Sequence, residues 1–448
     1  MQFPKGFLIG AATAAHQVEG NNIHSDYWIQ EHLPHTSFAE PSGEACDHYH
    51  RFAEDIRLLA GAGLNAYRFS VEWARIEPEE GQFDDAEIQH YRRVIDCCLE
   101  HGVEPVVTLH HFTSPAWLIR RGGWEAESTV EYFRRYASYV TEKLGDRLHY
   151  ICTINEANMG LQLAAISERF RLMAEQAAKA AAGRSSAERG SAASSAAGSA
   201  RSAEGTVQVG MNFEKIMENM KYAAAESAEA FGTPSPQVFV SSRTPEGDTL
   251  VMRAHQAAKA AIKAVNPGIK VGITLSLHDV QALPGGGEFA SREWDEEFSH
   301  YLPYIKDDDF LGVQNYTRAL YGPQGQLPCP EGAELTQMDY EFYPEALEHV
   351  LRRVHGEFPG RLVVTENGIA ISDDSRRVEF IRRALSGVRR CLDDGIPVDG
   401  YFHWSLMDNF EWQKGFQMTF GLIAVDRASM ERSPKESLAF LGSFAPDI

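Results

Sequence analysis

The sequence predicts an α/β protein built as a single (β/α)8 barrel, and three features carry that expectation. Eight strand-like runs, near residues 7–13, 65–71, 104–111, 149–156, 269–277, 309–316, 361–366 and 398–404, alternate with helix-like stretches, as in a parallel sheet wrapped by crossover helices. Two of those runs end alike: Thr153-Ile154-Asn155-Glu156 and Val363-Val364-Thr365-Glu366-Asn367-Gly368 are β-branched and apolar until they stop at a glutamate. Such a run reads as a buried parallel strand, and a carboxylate at its C-terminal end has left the core for an open rim. The third feature is size: 448 residues, 44% hydrophobic and 23% charged, suffice for two or three average domains or for one large barrel with insertions.

The first strand opens at Phe7-Leu8-Ile9-Gly10, and His48 to Ala62 and Asp85 to His101 read as amphipathic helices. In the second of these, Ile88, Tyr91, Val94, Ile95 and Leu99 recur at helical spacing. After the fourth strand the rhythm breaks. Arg184 to Gly205 contains Arg, Ser, Ala, Glu and Gly alone, too little apolar surface to offset ordering entropy, so a flexible linker is expected. Ile166, Phe170, Met173 and Ala177 make a helical stripe before it, and Phe213, Ile216, Met217 and Met220 make another after it. Residues 160–250 are therefore expected to form an inserted helical hairpin with a flexible Ala/Ser/Gly-rich tip at 184–205, within one domain spanning 1–448. The next barrel helix is expected from near Arg253.

A formal net charge of −21, from 63 acidic and 42 basic residues, disfavours nucleic acid and anionic membranes, whose recognition needs a basic face. No basic-then-apolar leader is visible, and no apolar stretch approaches the roughly 18 residues of a membrane span. Cys46, Cys97, Cys98, Cys152, Cys329 and Cys391 show no CxxC pair or regular spacing and read as reduced thiols of a cytoplasmic protein. His48 and His50 beside Asp47 lack a third metal ligand at useful spacing.

Glu156 and Glu366, roughly 210 residues apart, can meet across one barrel mouth. Paired carboxylates of this kind run glycoside hydrolysis; the plainer reading is two strand-end ion pairs. Their neighbourhoods resemble the acid/base and nucleophile motifs of glycoside hydrolase family 1, the retaining β-glucosidases. Phe7-Leu8-Ile9-Gly10-Ala11-Ala12-Thr13-Ala14 leading to Gln17-Val18-Glu19-Gly20 is similar to that family's opening strand. Tyr67-Arg68-Phe69-Ser70-Val71-Glu72-Trp73-Ala74-Arg75-Ile76 resembles its second, and Thr108-Leu109-His110-His111-Phe112 its third. Trp404-Ser405-Leu406-Met407-Asp408-Asn409-Phe410-Glu411-Trp412 resembles its eighth.

The resemblance implies Glu366 as nucleophile and Glu156 as acid/base, with Arg68, Tyr316 and Asn155 in support. It implies Gln17, His111, Asn155, Glu411 and Trp412 as groups that grip the sugar hydroxyls and Trp404 as a stacking platform. It further implies an exo-acting retaining β-glycosidase of small neutral β-glycosides or oligosaccharides, needing no metal or organic cofactor. β-Glucosides come first, then β-galactosides and β-fucosides. A homo-oligomer is left open. Competing readings are a transglycosidase, a 6-phospho-β-glycosidase (disfavoured by the carboxylate of Glu411) and a non-catalytic glycan-binding relative.

Four departures from the family pattern bear on these expectations. Ala157 stands where proline is usual, which would free the backbone beside Glu156, and Phe112 replaces a tryptophan. His16 replaces a tyrosine, and Gly312-Val313-Gln314-Asn315-Tyr316 alters the sixth-strand motif, with Gln314 in place of an asparagine. The insertion follows Glu156 directly and is expected over the leaving-group side, as a lid or wall of the aglycone site, as a partner-binding element or as a tolerated surface loop.

Overall fold

The computed structural model describes residues 2–168, 171 and 209–446. Eight parallel strands close into a barrel in chain order: Leu8–Ala12, Ala66–Ser70, Glu104–His110, Tyr150–Ile154, Lys270–Ser276, Phe310–Gln314, Leu362–Gly368 and Val398–Trp404. All eight expected strands are present. The first closes the ring by pairing with both the second and the eighth, with Gly10 opposite Ala66 and Phe402.

The strands separate two apolar layers. Leu8, Ala66, Val106, Cys152, Phe310, Val363 and Phe402 fill the lumen as one cluster, while alternate residues such as Ile9, Tyr67, Val107 and Ile151 pack outward under the helices. This is the period of two expected of a sheet, with both faces covered. The expected helices run His48–Gly61 and Asp85–Glu100. Ser128–Leu144, Pro245–Val265, Gly287–Glu297, Ala346–Glu357 and Asp374–Asp393 occupy the later crossovers. The helix expected from Arg253 begins two turns earlier, at Pro245. Thr244 caps it, its hydroxyl accepting from Gly247 N–H at 3.0 Å, and proline at the first helical position is a start signal that the apolar pattern does not carry.

On either side of the undescribed residues, 159–168 are helical and Phe213–Phe231 forms a second helix. Of the proposed hairpin, Phe170, Met173, Ala177 and the tip at 184–205 lie outside the described residues. The stripe on the second helix is not a buried one: Met217 and Met220 are 63% and 62% exposed. The helix is anchored at its ends, Phe213 against the main core and Phe231 in a cluster with Ile119 and Val238. Polar contacts to the 35–38 loop also hold it, Lys215 Nζ donating to the Phe38 carbonyl at 2.8 Å and Asn219 Nδ2 to that of Thr36 at 3.1 Å. Among the described residues no helix is long and apolar enough to cross a membrane.

Candidate active site at the barrel mouth

A register shift puts Glu366 into the site. Val363 lines the lumen, and the Thr365 methyl faces the Gly312 position in the same layer, so strict alternation would send Glu366 outward. The pairing with the sixth strand slips between Val364 and Glu366, which resets the alternation and sets Glu366 opposite Gln314. Gly368 ends the strand because a Cβ there would lie 1.9 Å from the Trp404 carbonyl oxygen.

Both oxygens of Glu366 are held. Arg68 Nη1 donates to Oε1 and Tyr316 OH to Oε2, each at 2.6 Å. Arg68 Nη2 continues to Asn155 Oδ1 at 2.6 Å, which also accepts from Gln314 Nε2 at 3.0 Å. Those two donors fix the Asn155 amide, so its Nδ2 points at His111 Nε2, 3.2 Å away, and that nitrogen must accept. The proton of His111 then sits on Nδ1, which is buried without a partner among the described residues. Burial and the Arg68 cation keep the ring neutral, its pKa well below the usual range.

Glu156 is built differently. The chain turns sharply after Ile154, with φ +43° at Glu156, a left-handed conformation that costs about 1–3 kcal/mol outside glycine. Thr274 braces the turn: its hydroxyl accepts from Glu156 N–H at 2.9 Å and its carbonyl from Ala157 N–H at 3.0 Å. Arg243 adds a bond to the Ala157 carbonyl at 2.9 Å. The absent proline therefore does not loosen Glu156, because the N–H that Ala157 supplies makes a bond proline lacks. Glu156 Oε2 is buried without a partner among the described residues. Burial raises the Glu156 pKa well above the carboxylate range, and the charges of Glu366 and Glu411 add to that. Burial also raises Glu366, but there Arg68 and Tyr316 oppose it.

The remaining expected residues line the neighbouring rim. Gln17 Nε2 donates to the Phe410 carbonyl at 2.7 Å and leaves its Oε1 unpartnered among the described residues. His111 stacks between Trp404 and Trp412, with ring centroids 5.6 and 6.1 Å away. His16 lies flat on Trp412 at 6.0 Å and is tied through Nε2 to Glu31 at 2.6 Å. Phe112 and Trp412 both take positive φ, +69° and +47°, so three bulky site residues carry backbone strain. Glu411 is buried, and that burial pushes its pKa up to about 8, opposed by hydrogen bonds from Gly210 and Gln17. Gln17, Arg68, His111, Asn155, Glu156, Tyr316, Glu366, Trp404, Glu411 and Trp412 are all buried.

Three site residues carry no sequence signal strong enough to find. Thr274 also donates to Gln314 Oε1 at 2.8 Å, yet a threonine in a strand is ordinary. Tyr340 sits in the loop after the sixth strand with its hydroxyl buried and unpartnered among the described residues, within range of the charges of Glu411 and Glu156. Arg243 arrives from the segment just ahead of the helix Pro245–Val265. The register of the sixth-strand motif is now fixed: Gln314 joins the site, whereas Asn315 Nδ2 turns to the Leu277 carbonyl at 2.8 Å. Among the described residues no group of three or more His, Cys, Asp or Glu is placed to hold a metal ion. His48, for instance, pairs with Asp55 at 2.7 Å.

Known proteins share this arrangement of chain. The model of glycosyl hydrolase family 1 matches residues 1–230 and 309–447. A bifunctional β-D-glucosidase/β-D-fucosidase of Bifidobacterium breve is 30% identical over 100% of this chain and 99% of its own. Among solved structures, β-glycosidase BGL167 is 44% identical with a TM-score of 0.85, covering 100% of this chain and 98% of that one. β-Glucosidase 1317 is 40% identical with a TM-score of 0.82, over 98% and 97%. The two strand-end glutamates, the closed eight-stranded barrel and these matches agree: the chain belongs to glycosyl hydrolase family 1, a family of O-glycosyl hydrolases.

Proposed function

We propose that the protein is a retaining exo-β-glycosidase that releases terminal β-D-glucosyl residues, with Glu366 as nucleophile and Glu156 as acid/base. The observation that carries this reading is the unequal dress of the two carboxyls. Arg68 and Tyr316 favour the ionised form of Glu366 against its burial and aim it, while Glu156 has a free oxygen and a pKa raised well above the carboxylate range by burial and by the Glu366 charge. Glu366 attacks the anomeric carbon as Glu156 gives its proton to the departing glycosidic oxygen, leaving a glycosyl ester. Ester formation removes the Glu366 charge, so the pKa of Glu156 falls by that repulsion. The carboxylate then takes a proton from water as the water displaces Glu366.

Gln17 Oε1, His111 Nδ1 and Glu411 offer one acceptor, one donor and a carboxyl for sugar hydroxyls, and Trp404 offers a ring face. The buried Tyr340 hydroxyl, within range of the Glu411 and Glu156 charges, offers a further donor. No cation is hydrogen-bonded to Glu411 among the described residues, so a phosphate on the sugar would find no partner there. The cytoplasm is the proposed compartment, since the six cysteines are all free thiols. Initial rates on p-nitrophenyl β-D-glucoside near neutral pH test the reading. Release from the glucoside, followed by the galactoside and fucoside, is expected. Faster release from a 6-phosphoglucoside, or binding without turnover, would overturn it.

A further inference from the structure

The return limb of the insertion reaches the site itself. Val209 and Gly210 are buried, and residues 209–212 are fastened along 411–413 by three hydrogen bonds. Gly210 N–H donates to Glu411 Oε1 at 3.2 Å, Gln413 N–H to the Gly210 carbonyl at 2.9 Å, and Asn212 N–H to Gln413 Oε1 at 2.9 Å. The approach is too close for a side chain. A Cβ at 210 would lie 2.4 Å from the Glu411 carbonyl oxygen, 2.9 Å from its Cγ and 3.0 Å from Oε1, and contacts that short to backbone cannot be relieved by a rotamer change.

We propose that Gly210 is a positioning residue, and that through its amide the insertion fixes the orientation of the Glu411 carboxylate and so forms a working wall of the sugar site. The inference rests on Glu411 as an acceptor of sugar hydroxyls. A carboxylate has about four lone-pair directions, and a backbone donor that takes one of them steers the others at no cost in side-chain entropy. Gln17 Nε2 approaches the other oxygen at 3.4 Å, a weaker restraint. The insertion begins just beyond Glu156 and returns at Glu411, so its two limbs join the acid/base residue to the far side of the sugar.

Calorimetric titration of deoxynojirimycin, a glucose-shaped iminosugar, into the full-length protein tests this, with kcat and KM for p-nitrophenyl β-D-glucoside measured alongside. The variants are Gly210→Ala, Gln413→Ala and, as a control, Gly232→Ala. Gly232 ends the helix Phe213–Phe231 at φ +76° with open space around its Cβ position, so its replacement strains the insertion without touching Glu411. Gly210→Ala is expected to weaken iminosugar binding and raise KM by up to about tenfold, the scale of a lost hydrogen bond together with the displacement of Glu411 by the added methyl. Gln413→Ala, which removes the anchor of Asn212 and adds no bulk, is expected to raise KM a few-fold, and Gly232→Ala to leave both values within about twofold. Wild-type affinity in both Gly210→Ala and Gln413→Ala, or equal losses in Gly210→Ala and Gly232→Ala, would overturn the proposal. The binding series decides it even if the wild-type protein fails to turn over substrate, an outcome that would sink the catalytic reading instead.

Discussion

Glu156 and Glu366 lie at the C-terminal ends of two parallel strands of one barrel, one just beyond its strand and one within its last residues, and each is 2% exposed. Residue type, strand end and burial are shared, so none of these can assign different tasks to them. What differs is the donors that neighbouring strands present. The second strand brings Arg68 and the sixth brings Tyr316 to Glu366, whereas the fifth offers Glu156 a threonine that holds its backbone and leaves its carboxyl alone. Burial costs an ionised carboxyl several kcal/mol unless partners compensate; the Arg68 cation acts on both carboxyls but is hydrogen-bonded to Glu366, which Tyr316 also holds. The anion is therefore favoured more at Glu366 than at Glu156, the asymmetry that a double displacement requires.

Deleting the compensated carboxyl breaks this contrast most severely. Glu366→Ala should lower kcat by roughly 10⁴-fold or more, as removal of a nucleophile does elsewhere. Azide should restore turnover by filling the vacated space, giving an α-glucosyl azide. Residual activity within tenfold of wild type would place the nucleophile elsewhere.

Neutralising the other carboxyl sharpens the contrast. Glu156→Gln should cost about 10²–10⁴-fold on alkyl glucosides, which need a proton to leave. It should cost far less on 2,4-dinitrophenyl glucoside, which does not. The pKa of Glu156 is raised, so its acid form persists to higher pH, and activity should fall as pH rises through that value. The variant should lose this alkaline limb; retention of the limb would assign it to another group.

The smallest effect concerns a third buried carboxyl. Glu411 has a folded pKa of about 8 against an unfolded value of about 4.3. Between those values the folded protein keeps a proton that the unfolded chain has released, so stability falls as pH rises. Glu411→Gln removes that penalty. Its advantage in unfolding free energy over wild type, read by denaturant titration, should be near zero at pH 4 and grow towards pH 8, to about 5 kcal/mol at most. An advantage independent of pH would mean that Glu411 is not the titrating group.

The barrel was legible in the sequence because each strand carries its own apolar run and each helix its own period. The two glutamates were legible because a carboxylate ending such a run is conspicuous, and the flanking motifs gave Arg68, Asn155 and Tyr316 with them. Thr274 and Tyr340 were not, since an uncharged strand threonine or a loop tyrosine looks the same wherever it packs. The setting of Ala157 is hidden for a related reason: the absence of proline shows in sequence, but the Thr274 carbonyl that accepts the Ala157 N–H does not. Gly210 is the extreme case. It adjoins a low-complexity stretch, and its importance lies in contact with Glu411, 201 residues away.

The account stands on Glu366 attacking from one face while Glu156 works from the other, which commits the reaction to retention. Proton NMR during the first minutes of p-nitrophenyl β-D-glucoside hydrolysis reads this directly, before the released sugar mutarotates. β-Glucose should appear first, with the α anomer growing in later. Initial release of α-glucose would mean a single displacement by water, and would contradict the assignment of Glu366 as a nucleophile.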